Sequence, residues 1–364
     1  MIGQLGLGGT EKQVVLLASG LRDRGIDARV LTMFEGGPRE QALRDVGVPV
    51  FHLGFSRRRP GVRAAGNATA FARLVRLLHR EQPEVLHAFL LHSYLTAAPA
   101  ARLARVPVLV AGRRSLGDFK QDRRLLLRLE RLATGTTDLL IANAHAVAED
   151  TRERERLPAE TISVIYNGLP EDAFTACPPA RIETRHPVLL CIANLKAYKG
   201  HEHLLRAGAL LRARGRPCTL VLAGDGERRP QLERQARQLR LDVRFLGTCT
   251  EVGSLLARAD VVVLPSLHEG MSNAVMEAMA AGRPVVATAV GGTPELLRDR
   301  GILVPPGDPS ALAAAIDALL ADPSRRASLG AAARRWSQIH LSAETMVDEH
   351  VRIYSDLLEL RCAG

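Results

Sequence analysis

The feature that most constrains this chain is an alternation. Short apolar runs rich in β-branched residues recur along it, separated by longer amphipathic stretches. The runs fall at Ala28–Thr32, Val85–His87, Val108–Ala111, Leu139–Ala142 and Ile162–Tyr166. They resume at Val188–Ala193, Thr219–Ala223, Val243–Leu246, Val261–Leu264 and Val285–Thr288. Apolar runs of this length without polar alternation are buried on both faces, as parallel strands are. Glu11–Arg24, Asn67–Arg80, His201–Arg214, Arg229–Gln238 and Ser272–Ala281 carry helical spacing between them. Strand and helix in regular alternation predict an α/β class with parallel, doubly wound sheets.

The alternation breaks once. Gly168, Pro170, Pro178, Pro179 and Pro187 interrupt it, and a new strand–helix series begins at Val188. For 364 residues this predicts two domains, residues 1–170 and 171–342. The amphipathic tail, residues 343–364, is predicted to be a helix that packs back toward the first domain. Gly6-Leu7-Gly8-Gly9 reads as the loop after a first strand. Only Met1–Leu5 precede it, so either that strand is short or the chain start falls inside it.

Composition narrows the function classes. With 46% hydrophobic residues the chain has material for real cores. Aromatic residues are 4%, with one Trp, which argues against nucleic-acid binding by base stacking. The five cysteines are scattered without a CxxC or Cys/His cluster, so neither a disulfide framework nor a metal site is expected. The longest uncharged stretch, Val85–Ala101, holds two His, Ser, Tyr and Pro and is a poor membrane span. No charged-then-apolar leader precedes the first loop. The expectation is a cytoplasmic protein.

The sharpest motif runs from Ser266 through Glu269, Gly270, Met271, Ser272, Asn273 and Glu277 to Gly282 and Pro284. A strand ends near Pro265, a loop follows and a helix starts near Ser272. The first amides of a helix lack intrahelical partners, and with the helix dipole they suit a diphosphate. Glu269 precedes the helix and Glu277 lies in its second turn, so two carboxylates can flank one ligand. Carboxylates suit sugar and ribose hydroxyls, because each oxygen accepts hydrogen bonds.

With Ala278-Met-Ala-Ala-Gly-Arg-Pro-Val-Val-Ala-Thr288 following it, this segment resembles the retaining GT-B glycosyltransferases of family 4. The resemblance spans nearly the whole chain. It takes in Gly8-Gly9-Thr-Glu-Lys-Gln13, Ile165-Tyr-Asn-Gly168, Lys199-Gly-His201, Ala223-Gly224-Asp-Gly226, Phe245-Leu-Gly247, Gly291-Gly-Thr-Pro-Glu295 and Leu303-Val-Pro-Pro-Gly-Asp-Pro309. It implies two Rossmann-like domains facing a cleft. It also implies a UDP- or GDP-type sugar donor, a hydroxyl acceptor that is lipid-linked in many members, and products in cell-surface polysaccharide or glycolipid synthesis. Glu277 would hold the ribose, Glu269 the donor sugar, the Gly270–Asn273 amides the diphosphate, and Lys199 the leaving group. Gly8 and Gly9 would face the donor from the first domain, and Gly224 would line its site from the second. No cofactor is implied beyond the sugar nucleotide. The chain has no Asp-x-Asp pair, so no metal is expected.

Two positions depart from the family pattern. Many members carry His-x-His after the run at Val85; here position 89 is Phe, leaving His92, or else His87, to meet donor or acceptor. Asn194 stands where Arg is common, so Lys196, or Arg113 and Arg114, would have to supply the second cation. These departures sustain an alternative, a catalytically impaired binding partner; a sugar-nucleotide epimerase is the other.

The net charge of +10 is local. Residues 57–131 hold 16 Lys/Arg and 5 Asp/Glu, a net of +11, and the rest of the chain sums to −1. Arg57-Arg58-Arg59 form one cluster; Arg73, Arg76 and Arg80, and Arg124, Arg128 and Arg131, fall on helical faces. Arginines beside leucines suit an anionic membrane surface, which makes a peripheral location at the inner face of the cytoplasmic membrane the expected use. No nucleic-acid recognition motif accompanies the charge.

Overall fold

The structure, a computed structural model, describes residues 1–56, 64–117, 124–249 and 251–362. It divides into two compact units, Met1–Gly168 with Ala343–Gly364, and Leu169–Ser342.

In the first unit β1 (Val30–Thr32) pairs with β2 (Val50–His52), and β3 (Val85–Phe89), β4 (Val108–Arg113), β5 (Leu139–Ala142) and β6 (Ile162–Val164) pair in that order, all parallel. The chain start joins the two sets. Ile2 bridges Thr32 in parallel, and the Phe89 amide donates to the Met1 carbonyl at 2.8 Å. Spatial order is therefore β2, β1, Met1–Gly3, β3, β4, β5, β6. Six helices follow strands in turn: α1 (Gly9–Asp23), α2 (Glu40–Asp45), α3 (Ala64–Glu81), α4 (Leu91–Ala104), α5 (Arg124–Thr134) and α6 (His145–Glu155).

The second unit is one six-stranded parallel sheet. Its strands are β7 (Val188–Ile192), β8 (Thr219–Ala223), β9 (Asp242–Gly247), β10 (Val261–Leu264), β11 (Val285–Thr288) and β12 (Ile302–Val304), in the order β12-β11-β10-β7-β8-β9. Helices α7 (His201–Ala213), α8 (Arg229–Gln238), α9 (Gly253–Arg258), α10 (Asn273–Ala280), α11 (Thr293–Leu297), α12 (Pro309–Ala321) and α13 (Pro323–His340) alternate with or follow them. Every residue of β8, β10 and β11 is buried, which is why these strands read as unbroken apolar runs. Helix starts are chemically marked: Asp308 accepts from the Ser310 and Ala311 amides ahead of Pro309 at the first position of α12. Both units reverse direction beside their first strand, the doubly wound arrangement.

The final helix, α14 (Ala343–Cys362), belongs to the first unit and packs on α1. Met346, Val347 and Ile353 are buried there, and a Cβ on Gly20 would come within 2.6 Å of the Val347 side chain. Among the described residues no helix is long and apolar enough to cross a membrane. The uncharged stretch instead forms β3 and the buried helix α4.

Candidate active site

In a doubly wound sheet, ligands sit at the carboxyl ends of the strands where the order reverses. In the second unit that point lies between β7 and β10, and the motif residues converge on it. After β7 the chain runs through Asn194 and Lys196, both exposed, into a single 3₁₀ turn ending at Lys199. Gly200 closes the turn with φ +66°, and a Cβ there would lie 2.0 Å from the Pro265 carbonyl. Only glycine lets this turn rest on the end of β10. The Leu267 amide donates to the Tyr198 carbonyl at 2.7 Å and ties the two loops together.

The Lys199 ammonium consequently meets the Glu269 carboxylate at 2.6 Å. The same oxygen, Oε1, accepts from the Ser266 hydroxyl at 2.6 Å. Ser266 is fully buried, and the Lys199 and Glu269 side chains are only 16% and 7% exposed, so this pair is fixed in place rather than solvated. Behind Glu269, Gly291 approaches so closely that a Cβ would lie 2.0 Å from the Glu269 carbonyl, and the Gly292 amide donates to the Gly270 carbonyl at 2.7 Å. This accounts for the first glycine of the Gly291–Glu295 motif.

Ser272 caps α10, its hydroxyl accepting from the Val275 amide. Met271 and Ser272 are buried, and Asn273 and Glu277 are half-buried. Gly224 ends β8, where its amide donates to the Gly247 carbonyl at 2.8 Å. Beneath the Lys199–Glu269 pair lie two inert groups. Burial pushes the Cys191 thiol up to about 12, so it is no nucleophile. Burial, then the charge of Lys199, lowers His201 to about 4, so it is neutral.

In the first unit the reversal lies between Met1–Gly3 and β3. Gly8 caps α1 and Gly9 opens it after the first of these; His92 lies in the first turn of α4 after the second. His92 is exposed. His87 is not available: its Nδ1 is 2.6 Å from the Tyr354 hydroxyl of α14, and its ring stacks on Phe89 at 4.0 Å. Leu90, between strand and helix, has φ 70° and ψ 156°, a region almost reserved for glycine. That strained turn, which no sequence signal announces, starts α4 abruptly and leaves His92 at its exposed tip.

The Gly8–Gln13 and Ile165–Gly168 motifs are structurally one. The Gln13 side chain donates to the Gly168 carbonyl at 2.9 Å and accepts from its amide at 2.7 Å. Arg113 and Arg114 are core residues of this unit. Arg113 contacts Glu155 at 3.1 Å and lies over the Tyr94 ring, and Arg114 donates to Asn167 at 2.8 Å. Both are buried and make these contacts inside their own unit, whereas Lys196 is exposed in the loop before Lys199. Arg57, Arg58 and Arg59 of the basic cluster lie outside the described residues. Among the described residues no three His, Cys, Asp or Glu side chains converge as metal ligands would.

Residues 7–173 match the model of Glycosyltransferase Family 4, and residues 186–322 match that of Glycosyl transferases group 1. The glycogen synthase of Mycobacterium tuberculosis is 31% identical over 288 residues, 75% of this chain and 69% of that enzyme. The chain belongs to the family 4 glycosyltransferases. This glycosyltransferase is also 32% identical to the alpha-D-kanosaminyltransferase of Streptomyces kanamyceticus over 223 residues, 57% of this chain and 58% of that enzyme. Its fold is that of Anabaena Alr3699/HepE, solved in complex with UDP-glucose, with TM-score 0.83 and 24% identity over 98% of both chains.

Proposed function

We propose that this enzyme moves a hexose from a UDP- or GDP-type sugar to a hydroxyl acceptor, with retention at the anomeric carbon and without a metal. The observation that carries the reading is the Lys199–Glu269–Ser266 cluster at the reversal point, beside the N-terminus of α10. In transfer the bond from the anomeric carbon to the diphosphate oxygen breaks, and the departing diphosphate gains negative charge. Lys199 and the amides leading into α10 stabilise that charge selectively, which lowers the barrier rather than merely tightening binding. This is the work a metal would otherwise do. Glu269 leaves its resting partner to accept from donor sugar hydroxyls, and Glu277 accepts from the ribose.

Cys191 is held as a thiol, and the Glu269 carboxylate is engaged by Lys199 and Ser266, so a front-face displacement fits the site better than a covalent intermediate. The acceptor hydroxyl attacks the face the leaving group vacates, and its proton passes to the leaving phosphate oxygen. His92 positions donor or acceptor by a hydrogen bond. The acceptor class is a surface polysaccharide or glycolipid precursor, in keeping with relatives such as the GDP-mannose-dependent phosphatidylinositol monomannoside mannosyltransferase of Mycolicibacterium smegmatis.

The test is turnover of a panel of UDP- and GDP-sugars, with thermal shift as the binding readout. At least one donor should raise the melting temperature and be consumed. Lys199→Ala should lower kcat by about 10²–10³. Nucleotide binding with no turnover of any donor, or near-normal kcat in Lys199→Ala and Glu269→Ala alike, would overturn the assignment.

A further inference from the structure

Helix α5 carries a face that a protein interior did not claim. Leu125, Leu129 and Leu132 are 71%, 47% and 70% exposed. Their spacing of four and three residues puts them in one stripe. Arg128 and Arg131, both exposed, lie along one flank of that stripe, Arg131 also donating to the Arg154 carbonyl at 2.6 Å. The opposite face holds the helix in place. Glu130 is 1% exposed beneath α4, where the Tyr94 hydroxyl donates to it, and Ala133 and Thr134 are buried. Glu130 is also the sole acidic residue of α5, so the helix itself places no carboxylate on its outward face. Next to it, Arg102 of α4 donates to the Thr136 carbonyl just past the end of α5, and Leu103 is 64% exposed.

We infer that the outward face of α5 docks this enzyme on an anionic lipid bilayer. Leucines that enter the acyl boundary while arginines stay at the phosphates are what an interfacial helix requires. Charge complementarity selects this occupant over a second copy of the chain: two such faces would bring like charges together, whereas a bilayer rich in acidic headgroups neutralises them. From Leu125 to Leu132 the stripe is about 10 Å long at 1.5 Å per residue. A contact that short is reversible and salt-sensitive, which suits an enzyme that visits a membrane-held acceptor. The inference builds on the proposed glycolipid-type acceptor but does not need it, since binding is read without any sugar.

The test is sedimentation of the full chain with vesicles of phosphatidylcholine, with and without 30 mol% phosphatidylglycerol (about a third anionic lipid, in the range where cationic helices respond). Binding is expected to the anionic vesicles only, falling as salt is raised. Arg128→Gln and Arg131→Gln should each weaken it about fivefold. Leu125→Gln with Leu129→Gln and Leu132→Gln should weaken it by more than about 10-fold. The leucine changes and Arg128→Gln should leave the melting temperature and turnover with a water-soluble acceptor unchanged, which separates this result from any failure of the catalytic reading; Arg131→Gln also gives up the bond to the Arg154 carbonyl and is read by binding alone. Equal binding of wild type and the triple variant would overturn the inference. So would a wild-type dimer in solution that the triple variant converts to monomer, because the face would then be covered by a second copy.

Discussion

His87 and His92 sit five positions apart in one apolar stretch, and local spacing gives no means of choosing between them. The choice is made by Tyr354, 267 positions downstream, whose hydroxyl meets His87 Nδ1 at 2.6 Å. His87 is a packing residue, whereas His92 is exposed at the tip of α4, as the proposed ligand role requires. Their substitutions should therefore separate cleanly. His92→Ala should cut transfer by about 10–100-fold, the value of one hydrogen bond to a polarised group, with the melting temperature hardly moved. His87→Ala should destabilise by about 2–4 kcal/mol, because it leaves a cavity against Phe89 and strips Tyr354 of a partner. Steady-state kinetics beside urea denaturation would read both. A His92→Ala enzyme with unchanged kcat and KM would remove His92 from the site. Asn194 and Lys196 were equally open in sequence, and their exposure at the loop after β7 leaves both able to meet a ligand.

At the scale of elements, what was legible depended on burial. β7, β8, β10 and β11 announce themselves because every neighbour is apolar, and α10 because Ser272 and the Glu-rich motif mark its start. β2 and β12 have three residues each and are only partly buried, so unlike the equally short but buried β1 they do not show as strands. Helix α4 hides for the opposite reason: it is buried over most of its circumference, so its faces scarcely differ, and Pro99 lies inside it. The motif residues are legible in the sequence, but the seating of one loop on another is not. Gly200 looked like part of a motif; the structure makes it the contact that delivers Lys199 to Glu269. Gly200→Ala must meet the Pro265 carbonyl and adopt φ +66°, at a cost of about 1–3 kcal/mol to the second unit. The larger effect should be on chemistry, because a shift of about 1 Å in Lys199 costs on the order of 10²-fold in rate. A variant that loses stability yet keeps full kcat would show that the turn can move without carrying Lys199 away.

For the whole molecule the decisive step is the return of the chain to its first unit. α14 brings His350 and Tyr354 onto β3, so that His87 and His350 come to 5.7 Å between ring centroids inside the core. His350 donates from Nδ1 to the Met346 carbonyl at 2.7 Å, as a neutral imidazole does. Burial first, then the positive charge of Arg114, lowers His350 to about 3. Burial, then His350, Arg114 and the terminal amine, holds His87 well below its ordinary value. In the unfolded chain both rings take up protons near pH 6.5. The unfolded state therefore binds more protons at every pH between that value and the folded one, so stability is fully present above about 6.5 and is lost as the pH falls toward 3. Each histidine adds up to about 1.4 kcal/mol per pH unit over that window. The second unit has His201, lowered to about 4, as a weaker counterpart. Denaturation of the full chain followed from pH 7.5 to 4.5 should therefore show the first unit failing first on the acid side. His350→Leu should flatten that decline, since it removes one proton acceptor from the unfolded state and one charge that His87 would have to face. Parallel pH curves for wild type and His350→Leu would mean that the acid lability comes from carboxylates instead, and that the packing of α14 on β3 is indifferent to protons.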